Sequence, residues 1–215
     1  MHYGIARLHN VSTISGLNGH AFGSFKKKNS PYMWLRDDLP RDLLEYRVIV
    51  YGYDSKLEGS RSIQNLLDIG TKFRNAVREA RPRPEKPLIL LGHSLGGIVI
   101  KEALNLVRTG HTDTDRMTFK AIKGIIFFGV PSQGMDISSL IPMVGNQANR
   151  GFLHTLGQNS PVLRTQAQRF SAALEDLNCE ILSFYETQES PTARKNLKKV
   201  STKDPDVEAR IDRLL

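Results

Sequence analysis

Four short runs of the chain are dominated by β-branched, aromatic and other apolar residues: 46–53 (YRVIVYGY), 87–91 (PLILL), 122–130 (IKGIIFFGV) and 179–185 (CEILSFY). Runs of this length without helical periodicity read as buried β-strands. A fifth run, 10–14, stands just ahead of the turn Gly16-Leu17-Asn18-Gly19 and reads as a weaker strand, because Ser12 and Thr13 dilute it. Between these runs the period changes. Ile63, Leu66, Leu67, Phe73 and Val77 fall near i, i+3, i+4 spacing among charged residues, which predicts an amphipathic helix ended by the Pro-rich segment 82–87. Residues 95–107 (LGGIVIKEALNLV) predict a second helix, apolar on most sides and therefore buried against a sheet. A third, with a mixed surface, is predicted over 161–177, and a short one over 32–44. Strands separated by helices imply a mostly parallel sheet with helices on both faces, wound by right-handed crossovers. After residue 187 the apolar period fades. The pattern thus divides the chain into a folded domain, 1–187, and a polar tail, 188–215, with at most a final helix.

Composition narrows the class without changing the fold. A chain of 215 residues with 40% hydrophobic and 24% charged residues is sized and composed for one globular domain. Its single cysteine, Cys179, excludes an intramolecular disulfide, a Cys-rich zinc site and a CxxC redox pair. A reducing, cytoplasmic setting is the expectation, with association to the endoplasmic reticulum or mitochondrion as the alternative. The first residues, MHYGIARLHNVSTISG, contain no apolar stretch of signal-peptide length, and runs such as 124–130 fall far short of the ~20 residues of a membrane span. The net charge of +8 includes the cluster Lys26-Lys27-Lys28 and a basic excess from Arg194 onward. No aromatic residues interleave with these cations and no nucleic-acid signature accompanies them, so no specific nucleic-acid partner is expected. Such charge runs usually form a solvated face; peripheral contact with an anionic membrane is the partner expectation carried beside that reading.

Chemistry enters at Gly92-His93-Ser94-Leu95-Gly96. G-x-S-x-G is a weak pattern alone and becomes specific when a strand precedes it and a helix follows. Here PLILLGH leads in and LGGIVIKEALNLV leads out. This is the nucleophile elbow of an α/β-hydrolase fold, with Ser94 as the nucleophile: glycines at 92 and 96 allow the sharp turn, and Gly97 allows close packing of the helix. The Leu95 amide, at the positive end of the helix, is placed for an oxyanion. The second amide is expected from the loop Ser15-Gly16-Leu17-Asn18-Gly19-His20, with Leu17 as donor. That loop, GLNGHAFG, has neither G-x-G-x-x-G spacing nor the Lys-Ser/Thr of a P-loop, so no cofactor is expected, and no metal. The acid should follow a later strand. Glu186 ends EILSFY and is the first candidate, with Asp136 as fallback.

A serine nucleophile also needs a base to take its proton and return it to the leaving group. All six histidines, His2, His9, His20, His93, His111 and His154, lie before Glu186. None occupies the position after the acid that the usual chain order assigns to it. His20 in the oxyanion loop, His93 in the elbow and His154 in the following segment are the alternatives.

With these residues identified, the chain resembles the fungal α/β-hydrolase domains of the serine esterase, lipase-like family, related to serine active site-containing proteins and GPI inositol-deacylases. The stretches that carry the resemblance are SGLNGHAFGSF, MWLRDDLP, VIVYGYDSKLEGS, LILLGHSLGGIVIKEAL, GIIFFGVPSQGM and ILSFYET. The resemblance implies Ser94 as nucleophile, the amides of Leu17 and Leu95 at the oxyanion and Glu186 as acid; His20 and Ser132 are the expected substrate-binding residues. It implies an acyl-ester or lipid substrate and, because such fungal domains stand ahead of NACHT, ankyrin or tetratricopeptide modules, partners of those kinds. The chain departs from the family in two places: the histidine beyond FYET is missing, and Ser132-Gln133 stands where relatives carry His-Arg. Its abrupt start and divergent end imply a domain truncated at both ends, as an incomplete gene model or splice product would be. The expected function is ester hydrolysis through an acyl-enzyme at Ser94, impaired if the histidine is lost. The competing expectation is a catalytically inactive sensing or interaction module in fungal signalling, and the third is a fragment with no function of its own.

Overall fold

The computed structural model describes residues 9–185. Five strands, β1 (His9–Ile14), β2 (Tyr46–Tyr51), β3 (Leu88–His93), β4 (Ile122–Phe128) and β5 (Glu180–Phe184), form one sheet in the order β2-β1-β3-β4-β5. Every pairing is parallel. The helices are α1 (Trp34–Asp37), α2 (Leu39–Asp42), α3 (Leu66–Glu79), α4 (Leu95–Thr109), α5 (Asp113–Ala121), α6 (Ile141–Val144), α7 (Arg150–Thr155) and α8 (Pro161–Glu175). This is the predicted architecture of a parallel sheet between helices.

The main core lies on one face of the sheet. Phe73 of α3, Ile98 and Ile100 of α4 and Phe170 of α8 pack there against Leu90, Ile125 and Phe127. Gln166 of α8 ties the helices together by donating to the Ile98 carbonyl (3.2 Å) and to the buried Glu102 carboxylate (3.0 Å). On the other face Phe25, Met33, Leu35 and Leu91 form a smaller cluster with Trp34, Val48, Ile126 and Phe128 at its margin.

Several boundaries differ from the periodic reading, for local reasons. The weakest predicted strand, β1, is an interior one, lying between β2 and β3. Both edges of β1 are hydrogen-bonded to neighbours, and Ser12 and Thr13 are fully buried, so pairing overrides their low apolarity. α3 starts at Leu66 because Asn65 and Asp68 form a reciprocal capping box (2.9 and 3.0 Å), which leaves Ile63 outside the helix and 85% exposed. The helix predicted over 32–44 is two single turns, α1 and α2. α5, capped by Thr112, was not apparent from the apolar period. The division at 187 and the tail 188–215 lie outside the described residues.

Candidate active site

In strand order the chain leaves β1 toward β2 on one side and toward β3 on the other. The direction of winding therefore reverses between β1 and β3. Loops at the carboxyl ends of two such strands diverge and leave a crevice, which is where open parallel sheets bind ligands. The two motif segments stand there: 15–20 follows β1, and the elbow follows β3.

Ser94 is the single residue between the end of β3 and the start of α4, and it takes φ 51°, ψ −126°. A non-glycine residue held at positive φ stores about 1–3 kcal/mol unless its surroundings over-determine it. Here they do. The Ser94 amide donates to the Phe128 carbonyl on β4 (2.8 Å), and its carbonyl accepts from the Gly97 amide (3.0 Å). Close approach explains two glycines. A Cβ on Gly96 would meet the carbonyl oxygens of Ile14 and Ser15, and one on Gly16 would stand 2.7 Å from the Ser94 Cβ and 3.2 Å from His93 Nδ1. Small residues at 16 and 96 thus let the two loops touch.

The Leu95 amide is the first of α4 and has no intrahelical acceptor. Among the described residues neither it nor the Leu17 amide donates to a protein oxygen. The loop that carries Leu17 is fixed from outside: the Asn18 amide donates to the Ser55 carbonyl (2.7 Å) and the Tyr53 hydroxyl to the Ser15 carbonyl (3.1 Å). Burial pushes the Tyr53 phenol far up, so it remains a protonated donor.

The remaining candidates are placed as follows. His20 is exposed, and its Nδ1 accepts from the amides of Phe22 (3.2 Å) and Gly23 (3.1 Å), closing the turn before the next segment. His93 follows the side of Leu91 along β3 and lines a cavity of about 420 Å³ with Phe25, Trp34, Phe128, Phe184 and Tyr185. His154 is exposed on α7. The exposed Asp136 accepts from the Ser138 amide (2.9 Å), which holds its carboxyl below the usual range. Glu186 lies outside the described residues. Ser132 accepts a hydrogen bond from the Lys101 ammonium at 2.5 Å. That contact and the aromatic cavity were not foreseen. The charged pair Lys101-Glu102 inside the otherwise apolar IVIKEAL was the available signal for the first; the second joins residues too far apart in sequence to leave one.

Among the described residues no three histidine, cysteine or acidic side chains gather to hold a metal ion, and no helix is long and apolar enough to cross a membrane.

The comparisons with known proteins agree on the fold. The mature lipase BlEst2 of Bacillus licheniformis superposes with a TM-score of 0.55 at 15% identity, over 83% of this chain and 65% of that one. Phospholipase PlaB of Legionella pneumophila superposes with a TM-score of 0.59 at 14% identity, over 83% of this chain and 39% of that one. The chain has the α/β-hydrolase fold. By sequence it is similar to Protein SERAC1 of Mus musculus, 25% identical over 209 residues, and of Homo sapiens, also 25% identical over 209 residues. These alignments cover 83% and 82% of this chain, which spans about 30% of the length of either relative. No family model matches.

Proposed function

We propose that the chain is a serine ester hydrolase of lipase-like type that forms an acyl-enzyme at Ser94. The observation that carries this reading is the positive-φ Ser94 at the head of α4, next to the Leu95 amide and approached by Gly16 of the loop that carries Leu17, with neither amide given a protein acceptor among the described residues. In the proposed reaction Ser94 Oγ bonds to the ester carbonyl carbon as it gives up its proton, the two amides receive the oxyanion, and the ester C–O bond breaks as a proton returns to the departing oxygen, which leaves as an alcohol. Water then releases the acid by the same path. Glu186 is the proposed acid. His20 and Ser132 border the proposed substrate surface. An acyl-ester lipid is the substrate class that suits both the apolar cavity beside His93 and the lipase and phospholipase among the structural neighbours. The net charge supports peripheral attraction to anionic lipid.

A tagged fluorophosphonate tests the reading. Peptide mass spectrometry should find the adduct on Ser94, and Ser94→Ala should remove it. A folded wild-type chain that takes no label at Ser94 would sink the hydrolase.

A second reading, a hydrolase-fold module that senses a ligand without turning it over, is favoured by the engagement of His20 Nδ1 with two amides. It requires tight binding of a long-chain ester with no release of acid, measured by calorimetry and product analysis on one preparation.

A further inference from the structure

α4 is apolar over most of its length, yet one cation is buried in it. Lys101 exposes 8% of its surface. Its Nζ stands 5.2 Å from the centre of the Phe127 ring and 5.1 Å from that of Phe170. Among the described residues no carboxylate lies within ion-pair distance of it. Glu102, the next residue, turns instead to Gln166 (3.0 Å) and Arg169 (3.5 Å). Among the described residues the one polar partner of the Lys101 ammonium is the Ser132 hydroxyl, at 2.5 Å.

An ammonium in this setting has lost its water without gaining a counter-charge, and the ring faces return only part of that loss. Giving up the proton removes the penalty. Burial accordingly pulls the Lys101 pKa below its ordinary value. The neutral amine carries a lone pair beside a hydroxyl, which is the arrangement of a serine activated by a lysine base. Ser132 itself is half-buried on the loop after β4 and therefore open to solvent on one side. Its own amide donates to the Val130 carbonyl (2.9 Å), and that of Gly134 to the Pro131 carbonyl (3.0 Å). The Gln133 amide between them makes no hydrogen bond among the described residues and is left for a developing oxyanion.

We propose that Ser132 is a second nucleophile, with Lys101 as its general base, reactive toward electrophilic acyl and phosphonyl esters independently of Ser94. With an acyl ester, Ser132 Oγ bonds to the carbonyl carbon as its proton passes to Lys101 Nζ. Collapse breaks the ester C–O bond, and the departing alkoxide takes that proton and leaves as an alcohol. The acyl group remains on Ser132 and the amine is neutral again. With a fluorophosphonate the Oγ–P bond forms, the P–F bond breaks, fluoride departs and Lys101 keeps the proton.

The experiment maps fluorophosphonate adducts by peptide mass spectrometry on the full chain carrying Ser94→Ala, alone and combined with Ser132→Ala, Lys101→Arg or Lys101→Met. The Ser94→Ala chain should take the label on Ser132 faster than on Ser24 or Ser138, exposed serines to which no lysine hydrogen-bonds among the described residues. Ser132→Ala should abolish that adduct. Lys101→Arg retains a cation that does not give up its proton, and Lys101→Met retains the length of the side chain; either, where it still melts cooperatively, should slow Ser132 labelling by about a hundredfold. Ser132 labelling no faster than that of Ser24 in the Ser94→Ala chain overturns the proposal whether or not the lysine variants fold. So does an unchanged rate in a folded lysine variant. Neither outcome touches the reading of Ser94, which is decided by its own adduct in the wild-type chain.

Discussion

The two faces of the sheet are built to different standards. On the face under α3, α4 and α8, Ile125 is fully buried and Phe127 is 5% exposed. One residue along β4 in each case, on the opposite face, Ile126 and Phe128 are only half-buried, and their β5 partners Leu182 and Phe184 are each 52% exposed. The same strands thus supply a close-packed core to one side and a loosely covered aromatic surface, with Phe128 stacked on Phe184 at 5.0 Å, to the other. The difference teaches a division of labour. Stability resides mainly on the helix-covered face, while the opposite face can shape a cavity beside His93 because few neighbours depend on it for packing.

The comparison is broken or sharpened by substitutions on either side. The largest effect is expected at Phe73, fully buried in α3 with its ring edge against Tyr51 at 5.1 Å. Phe73→Ala should cost about 3–5 kcal/mol in urea-induced unfolding. Phe128→Ala on the open face should cost about 1–2 kcal/mol, because its ring already meets solvent. A cost equal to that of Phe73→Ala would refute the division. The same variant should raise the KM for a long-chain ester several-fold and leave kcat for a short-chain ester unchanged, as steady-state kinetics would reveal. Tyr53→Phe removes the hydroxyl that holds the Ser15 carbonyl. About 1 kcal/mol of stability should be lost, and kcat should fall more than KM rises, since the Leu17 amide would lose its fixed position. The smallest effect belongs to the rim. Arg108 and Asp176 link α4 to α8 at 2.7 Å, but both side chains are substantially exposed. Arg108→Ala should therefore shift the unfolding free energy by less than about 1 kcal/mol, and less still in high salt.

What could be read in the sequence follows the same divide between local and assembled features. The elbow was legible because strand, turn and helix are contiguous, although the contacts that require Gly96 come from the distant Ile14 and Ser15 carbonyls. The interior position of β1 was not, since the burial of Ser12 and Thr13 is imposed by two neighbouring strands rather than by their own apolarity. The start of α3 was written in Asn65 and Asp68, but the helical spacing of Ile63 pointed one turn too early. Thr112 and Asp115 carried a comparable cap signal for α5, whose mixed surface gave no clear period. The cavity brings Phe25 and Trp34 to Phe128 and Phe184 across the sheet, and only the folded order of strands does that. The proposed acid, Glu186, stands outside the described residues, so that part of the site rests on sequence alone.

The seam between β1 and β3 also sets when a reactive serine can exist. Gly16 and Ser94 belong to segments far apart along the chain and meet only after those two strands pair, whereas α4 can begin to coil from local interactions alone. During refolding from urea, helical signal should therefore precede the appearance of a serine that captures a fluorophosphonate. Covalent capture at Ser94 would serve as a clock for the moment at which the middle of the sheet closes.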